Sequence, residues 1–337
     1  MKDIVTLVII LHNRHRNVDR LLEYYEDFES PIIIADSSAE PHSFEKTRHN
    51  LTYLYTPGIT YTQKIEQTID KVFTPYISLC ADDDFIIPDG LYNCIKFLEE
   101  NKDYSVAQGL ILNYYKYTIK QKLRFGLLYK NNHSLPMDKP FERLQKIFTP
   151  YKSLLYAVHR TSILKTSFKH AEKNIKNLYL NEYLISIMSI LLGKSKDLPF
   201  LYQVREYADN SDDKSADNLE VMIGDNKYNK ELMLFQDVLI NNSQSVTLDK
   251  EELKKKIREA METYARQLES FKNSGIPLRK KIGKIIALLP FFGKEYVERN
   301  RFNESIKELK TVLTDKDFEE LKKIEILLKK YDEVGPS

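Results

Sequence analysis

Three consecutive carboxylates, Asp82, Asp83 and Asp84, stand between two apolar runs in Tyr76-Ile-Ser-Leu-Cys-Ala-Asp-Asp-Asp-Phe-Ile-Ile-Pro88. The run before them has the composition of a buried strand, so the acids fall just past its end. Adjacent like charges repel, and a cation is expected beside them. A hard divalent ion, held by a few carboxylates and by the oxygens of a bound phosphate, suits these residue types best. A bare D-D-D is more often a solvated acidic turn; the strand context is what favours a ligand here. A second carboxylate stands out at Glu182, near the start of Leu178 to Leu192, an almost wholly apolar stretch closed by Gly193-Lys194. A carboxyl group there serves either the helix N-terminus or, as a general base tuned by its apolar setting, the chemistry of a substrate.

The elements that must position these groups are legible as patterns. Residues 4–11, I-V-T-L-V-I-I-L, are β-branched and apolar throughout, as in a parallel strand covered on both faces. The polar loop H-N-R-H-R-N follows, and Val18, Leu21, Leu22 and Tyr25 keep helical spacing. Pro31 to Ala35 reads as a second buried strand ending in Asp36-Ser37-Ser38, Leu51 to Tyr55 as a third, and Tyr61 to Val72 as a helix before the D-D-D strand. Strands alternating with helices over the first ninety or so residues predict a doubly wound α/β sheet, whose ligands bind beyond the carboxyl ends of the strands. His12-Asn13-Arg14, Asp36 and Asp82 to Asp84 would then gather along one edge, a nucleotide-site pattern. It comes without a P-loop or a G-x-G-x-x-G fingerprint, neither of which occurs in the chain.

Further on, residues 104–135 return to strand character, Tyr156 to Arg160 reads as a short strand, and the composition changes after Leu201 to Tyr207. Asp138-Lys-Pro-Phe resembles a helix start, with the aspartate as cap and the proline in the first turn. Residues 209–217, D-N-S-D-D-K-S-A-D, are a polar linker or lid. Beyond them the pattern is helical: Leu253, Ile257, Met261, Tyr264 and Leu268 share one face, as do Phe318, Leu321, Ile324, Leu328 and Tyr331 behind the capping box Thr314-x-x-Asp317. Residues 277–294 combine five cations with an apolar face, which fits contact with an anionic membrane or lipid acceptor and equally a basic helix packed on protein.

Composition narrows the class. The 337 residues are 42% apolar and 30% charged, with a net charge of +2, so nothing calls for nucleic acid. No apolar run reaches the length of a membrane span. Met1-Lys2-Asp3 leads straight into strand one without the pattern of a signal peptide. The two cysteines, Cys80 and Cys94, lie in apolar surroundings and suggest reduced core thiols in a cytoplasmic protein, while the seven scattered histidines lack zinc spacing. Twenty-two tyrosines without tryptophan, clustered at Tyr114, Tyr115 and Tyr117, suit sugar contact or half-buried strand packing.

V-T-L-V-I-I-L-H-N-R-x-x-x-V-x-R-L-L, then I-I-I-A-D-S-S, then Y-I-S-L-C-A-D-D-D-F-I-I-P-D-G-L resembles, in order and spacing, the GT-A domain of family-two-like bacterial glycosyltransferases. The resemblance implies a Rossmann-like mixed-sheet nucleotide-sugar domain over residues 1–208, the linker 209–217, and an α-helical subdomain over 218–337. It implies donor contacts from Asn13, Asp36, Lys64, Asp82 and Arg205, a divalent metal (Mn²⁺ or Mg²⁺) on Asp83 and Asp84, and Glu182 as the base. The pattern's first acid is Ala81 here, which leaves its ribose contact to Asp82. A downstream metal-binding histidine is replaced by Tyr207 and is not carried over. The implied activity is inverting, metal-dependent transfer from a nucleotide-sugar, a UDP-sugar first, to a hydroxyl of a capsule, O-antigen or cell-wall glycan, free or lipid-linked. The implied setting is the cytoplasm or the inner face of its membrane, with a homodimer as one arrangement. Two other readings are a nucleotidyltransferase, which would normally carry a Gly-rich loop after strand one, and an inactive scaffold of a glycan-assembly complex.

Overall fold

The structure, a computed structural model, describes residues 3–44, 48–117, 122–129, 132–149, 151–169, 171, 175–207, 219–243, 249–273 and 293–333. The expected linker 209–217 and nearly all of the basic segment 277–294 lie outside them. Among the described residues a nine-stranded mixed sheet runs in the order β3-β2-β1-β4-β8-β6-β9-β5, with β7 paired to β6. Strands β1 (Val5–Leu11), β2 (Ile32–Asp36), β3 (Leu51–Tyr55) and β4 (Tyr76–Ala81) are mutually parallel. The rest depart from a doubly wound pattern. Strand β8 (Val158–Arg160) is antiparallel to both β4 and β6 (Tyr104–Tyr117). Strand β9 (Lys194–Glu206) then runs parallel to β6, while β5 (Phe85–Ile86) and β7 (Lys122–Leu127) add antiparallel pairs.

Every residue of β1 is buried because apolar layers cover both faces of the sheet. Val8 and Ile10 look into one layer, with Ile65 and Ile69 of α2 (Tyr61–Asp70) and the buried face of α6 (Leu178–Leu192). Leu7, Ile9 and Leu11 look into the other, with Val18 and Leu21 of α1 (His15–Tyr24) and Leu91 and Cys94 of α3 (Pro88–Glu100). This is the period-two alternation of a strand. Cys80 and Cys94 are both free and buried.

Helix α6 has the bounds its composition predicts and is buried on nearly all sides, as its uniform hydrophobicity demands. Its N-terminus is capped by the Asn177 side chain, which accepts from Tyr179 N and Leu180 N, so Glu182 is not the cap. Asp138 is not a cap either. Helix α4 (Pro140–Ile147) starts after Lys139 without a side-chain cap, and Asp138 binds Lys194 Nζ at 2.6 Å, an ion-pair partner that its local sequence gives no hint of.

The helices past residue 218 do not pack as a separate unit. Those of α7 (Leu219–Gly224), α8 (Asn229–Asn242) and α9 (Lys250–Asn273) extend the α6 layer. Helices α10 (Gly293–Leu309) and α11 (Asp315–Glu333) contribute Leu309, Leu321, Ile324 and Leu328 to the opposite layer. The capping box at α11 forms as expected, Thr314 N donating to Asp317 Oδ2 at 2.8 Å and Asp317 N to Thr314 Oγ1 at 3.2 Å. Helix α11 lies on α1, where Tyr24 Oη donates to Glu320 and Lys330 Nζ meets Glu23 at 2.6 Å.

Two outcomes test this packing. Helix α3 crosses β9 so closely at Gly90 that a Cβ there would overlap the Leu201 carbonyl oxygen. Gly90→Ala should destabilise the fold by about 1–3 kcal/mol in urea titration; an unchanged midpoint would mean that α3 can slide off the strand. His159 is fully buried, bonded to Leu154 O at 2.7 Å and Ser189 Oγ at 3.1 Å, and burial pushes its pKa down to about 4 from 6.5. The folded state then binds fewer protons than the unfolded chain, so this contribution is complete above pH 6.5 and is lost as pH falls through about 4. The acid-side loss of stability should shrink in His159→Asn, and equal losses in both proteins would contradict the assignment.

Candidate active site

Register alone brings the candidate groups to one edge. Leu11 lies opposite Asp36, and Ile10 opposite Ala81, so the loops after β1, β2 and β4 leave the sheet side by side. The first two are laced together. Asn13 adopts the left-handed conformation (φ 56°) that asparagine tolerates better than most residues. Its amide donates to Ser38 Oγ at 2.7 Å, and its Oδ1 accepts from Ala39 N at 3.0 Å.

Asp36 is fully buried beneath this lacing. Its carboxylate accepts from Ser38 N (2.7 Å), the Ser38 hydroxyl and Tyr53 Oη (2.6 Å). Burial alone would raise its pKa, but these bonds outweigh it and hold the group below the usual carboxylate value. Lys64 lies under the same floor rather than on the surface. Its ammonium donates to Leu11 O at 2.7 Å and Ser37 Oγ at 2.9 Å, and desolvation brings its pKa down to about 8.

The acid triplet forms a tight turn, Asp84 N donating to Ala81 O at 3.2 Å, and its side chains diverge. Asp82 is inaccessible to solvent, and burial pushes its pKa up to about 7 against the opposing charge of Arg14. Arg14 spans two of the three acids, its Nη2 2.5 Å from Asp82 Oδ1 and its Nη1 2.8 Å from Asp83 Oδ2. Asp83 is 20% exposed, the most accessible of the three, and its carbonyl accepts from Arg20 Nη2 at 3.2 Å. Asp84 turns the other way, toward β9, where Gln203 Nε2 (2.9 Å), Glu206 N (3.2 Å) and Arg205 Nε (3.3 Å) surround it. Burial raises its pKa while Arg205 opposes the shift.

Glu182 sits on the second turn of α6, half-buried. The neighbouring Asn181 serves the fold, bonded to Thr62 Oγ1 at 2.9 Å and to the Asn177 carbonyl at 3.0 Å. Glu182 faces an aromatic wall. The hydroxyl of the half-buried Tyr151 bonds to it and lies 3.1 Å from Ser186 Oγ, and the hydroxyls of Tyr129, Tyr183 and Tyr264 all feel its charge. Tyr264 comes from α9 and stacks on Phe148 at 5.1 Å between ring centres. Arg205 joins the two halves of the site. It pairs with Asp84, lies over the Tyr156 ring at 5.5 Å, and has a raised pKa, to which the Glu182 charge contributes after that of Asp84 and the nearby tyrosines.

The structure thus collects Asn13, Asp36, Lys64 and Asp82 to Asp84 at one edge and links Glu182 to it through Arg205. Asp36 and Lys64 lie beneath the surface as supports. Arg14, not among the contacts expected from the sequence, is the cation the triplet requires, and its signal was its place directly after β1 in H-N-R. Tyr151 and Tyr264 left no such signal, because their roles follow from packing between distant segments. Among the described residues no group of three or more His, Cys, Asp or Glu side chains is arranged to hold a metal ion.

This edge and topology define an α/β fold of GT-A type followed by helices. The structure aligns with crystal structures of residues 1–349 of S. aureus TarS, at 12% identity and a TM-score of 0.51 over 86% of this chain and 81% of that one. The complex of that protein with UDP-GlcNAc aligns at 15% identity and 0.55, over 86% and 82%, and its complex with UDP at 14% and 0.51, over 86% and 79%. The chain spans 43% of the longer TarS chain. No protein-family model and no curated protein matches the sequence significantly.

Arg14 is 49% exposed, so solvent screens its pair with Asp82. Arg14→Leu should still cost roughly 1–3 kcal/mol, because it leaves a buried carboxylate without its donor. The double variant Arg14→Leu/Asp82→Asn should be at least as stable as Arg14→Leu alone in urea titration; additive losses would show that the two are uncoupled.

Proposed function

We propose that this chain is an inverting glycosyltransferase that moves a sugar from a nucleotide-sugar, UDP-linked in the first instance, to a hydroxyl of a bacterial surface glycan. The observation that carries the reading is Arg205, paired with Asp84 and within the field of Glu182, so that a base candidate stands beside the acid-rich edge of the sheet. The likeness to TarS structures holding UDP-GlcNAc and UDP supports the choice of donor.

In this reading the edge built on Asn13, Asp36 and Asp82 receives the nucleoside, with Lys64 holding the β1 and β2 loops in place beneath it. Arg14 is the exposed cation nearest the diphosphate. Glu182, oriented by the Tyr151 hydroxyl, takes a proton from the acceptor hydroxyl, which attacks the anomeric carbon from the face opposite the leaving group. A single displacement inverts the configuration. It needs one base, in contrast to the acid pair that flanks the bond in glycoside hydrolysis. The residues fit a divalent cation as one carboxylate, Asp83, with donor phosphates and water completing the shell, an arrangement that Mg²⁺ accepts; Asp84 is directed away, into Gln203 and Arg205. When bound, Mn²⁺ or Mg²⁺ supplies charge neutralisation on the departing diphosphate. Among the described residues no helix is long and apolar enough to cross a membrane.

Calorimetry with UDP, GDP, CDP and TDP, with and without Mn²⁺, on the wild type and Asp83→Asn tests the donor side. One nucleotide should bind, UDP first, and Asp83→Asn should lose the metal-dependent part. Binding of none would favour the scaffold reading. With the donor identified, Glu182→Gln should lower turnover by about 10²–10⁴-fold at unchanged nucleotide affinity. A fall of less than about tenfold would remove Glu182 as the base.

A further inference from the structure

Between the segment before α4, the end of α4 and the start of β9 lies a cavity of about 160 Å³ that the donor edge does not use. It is smaller than a complete ligand pocket, the right scale for one subsite. Its polar lining is Lys146 from the last turn of α4, Thr149, the buried Lys152, Ser195 at the start of β9, and His133 and Ser134 on the segment before α4. Leu135, Ile147 and Leu154 supply the apolar floor. Among the titratable lining groups all are basic.

The walls are held rigidly. Leu135 and Ser195 form a β-bridge, their amides donating to one another's carbonyls at 2.9 and 3.3 Å. Asp197, behind the lining, accepts from His133 N at 2.8 Å and from Lys152 Nζ at 2.7 Å, while its own amide donates to Ser134 Oγ at 2.9 Å. A buried lysine–aspartate pair generally costs more than an apolar pair of the same volume. The Lys152 ammonium, with three donors, gives one to Asp197, and the Tyr129 ring faces it at 5.1 Å. Burial moves the pKa of both Lys152 and His133 downward, with Asp197 opposing in each case. An oxyanion in the cavity would oppose that shift as well.

Tyr129 ties this cavity to the reaction. Its ring stands over Lys152, and its hydroxyl lies in the fields of Glu182 and Arg205. Lys152 also follows Tyr151, whose hydroxyl bonds to Glu182. On the glycosyltransferase reading, on which this inference rests, a group held in the cavity belongs to the acceptor.

We infer that the cavity is an acceptor subsite for an acidic substituent, a phosphate or a sugar carboxylate. Lys146 and Lys152 provide charge-assisted hydrogen bonds to the oxyanion, and His133, Ser134, Thr149 and Ser195 surround it with neutral donors. The subsite selects a charged acceptor.

The test titrates the full chain, saturated with UDP, with glycerol 1-phosphate, glucuronate and glucose, following affinity by calorimetry and the imidazole resonance of His133 by NMR, assigned through His133→Gln. One or both acids should bind and shift His133, and which of them does so names the source of the charge. Glucose should do neither. Lys146→Ala changes an exposed side chain and should weaken acid binding by roughly tenfold; Lys152→Met is the second variant. The UDP affinity of each variant reports that the donor side has folded. Glucose binding as well as the acids, no acid binding, or equal acid affinity in Lys146→Ala would overturn the subsite. UDP binding without acid binding would sink this inference and spare the donor reading, whereas a chain that takes no nucleotide would sink the donor reading and this inference with it.

Discussion

Three carboxylates in a row at the end of a buried strand create a charge problem that the rest of the structure is arranged to solve. Two cations divide the task. Arg14, from the loop after β1, covers Asp82 and Asp83, and Arg205, from the far strand β9, covers Asp84. Each needs its own strand in a fixed place, so the parallel half of the sheet and the β9 crossing are both conditions for the acids to exist where they do. The divergence of the side chains follows: Asp83 keeps access to solvent while its neighbours are committed to protein partners.

Burial also sorts the other polar groups at this edge. Asp36 and Lys64 are buried and hydrogen-bonded, and their pKa values move because of it. An unsatisfied group in either place would cost on the order of 1–3 kcal/mol, so each is bonded to a neighbouring loop. The result is a floor that holds the β1 and β2 loops still, with the accessible chemistry left to Asn13, Arg14 and Asp83 above it. Supporting bonds of this kind hold the residues above them in one geometry, which a loop lacks on its own.

How much of this was legible in the sequence follows from the range of each interaction. Strands β1, β2 and β4 and helix α6 could be read because a two-sided apolar environment writes itself into consecutive residues. The gathering of Asn13, Asp36 and the triplet at one edge followed from strand direction alone. What escaped were contacts between segments far apart in the chain. Lys64 reads as a donor contact on the helix before the triplet and is buried against a carbonyl; Asp138 reads as a cap and pairs with Lys194; Tyr264 reads as one face of a helix and forms part of the wall around Glu182. The helices beyond residue 218 show helical periodicity, but periodicity carries no statement of which side of the sheet a helix covers, and they divide between the two.

The contact of α11 with α1 bears on how the molecule is made. Tyr24 and Glu320 are 296 positions apart. At about 5–20 residues per second of synthesis, α1 waits roughly 15–60 s for the helix that covers it. During that interval the outer face of α1, directly after the loop that carries Arg14, is an unpartnered surface. Early strands can pair and still leave the donor edge loosely held. Completion of that edge is therefore coupled to a helix made long after it, and a nascent chain halted before α11 would expose the face of α1 beside the Arg14 loop to the wrong partners.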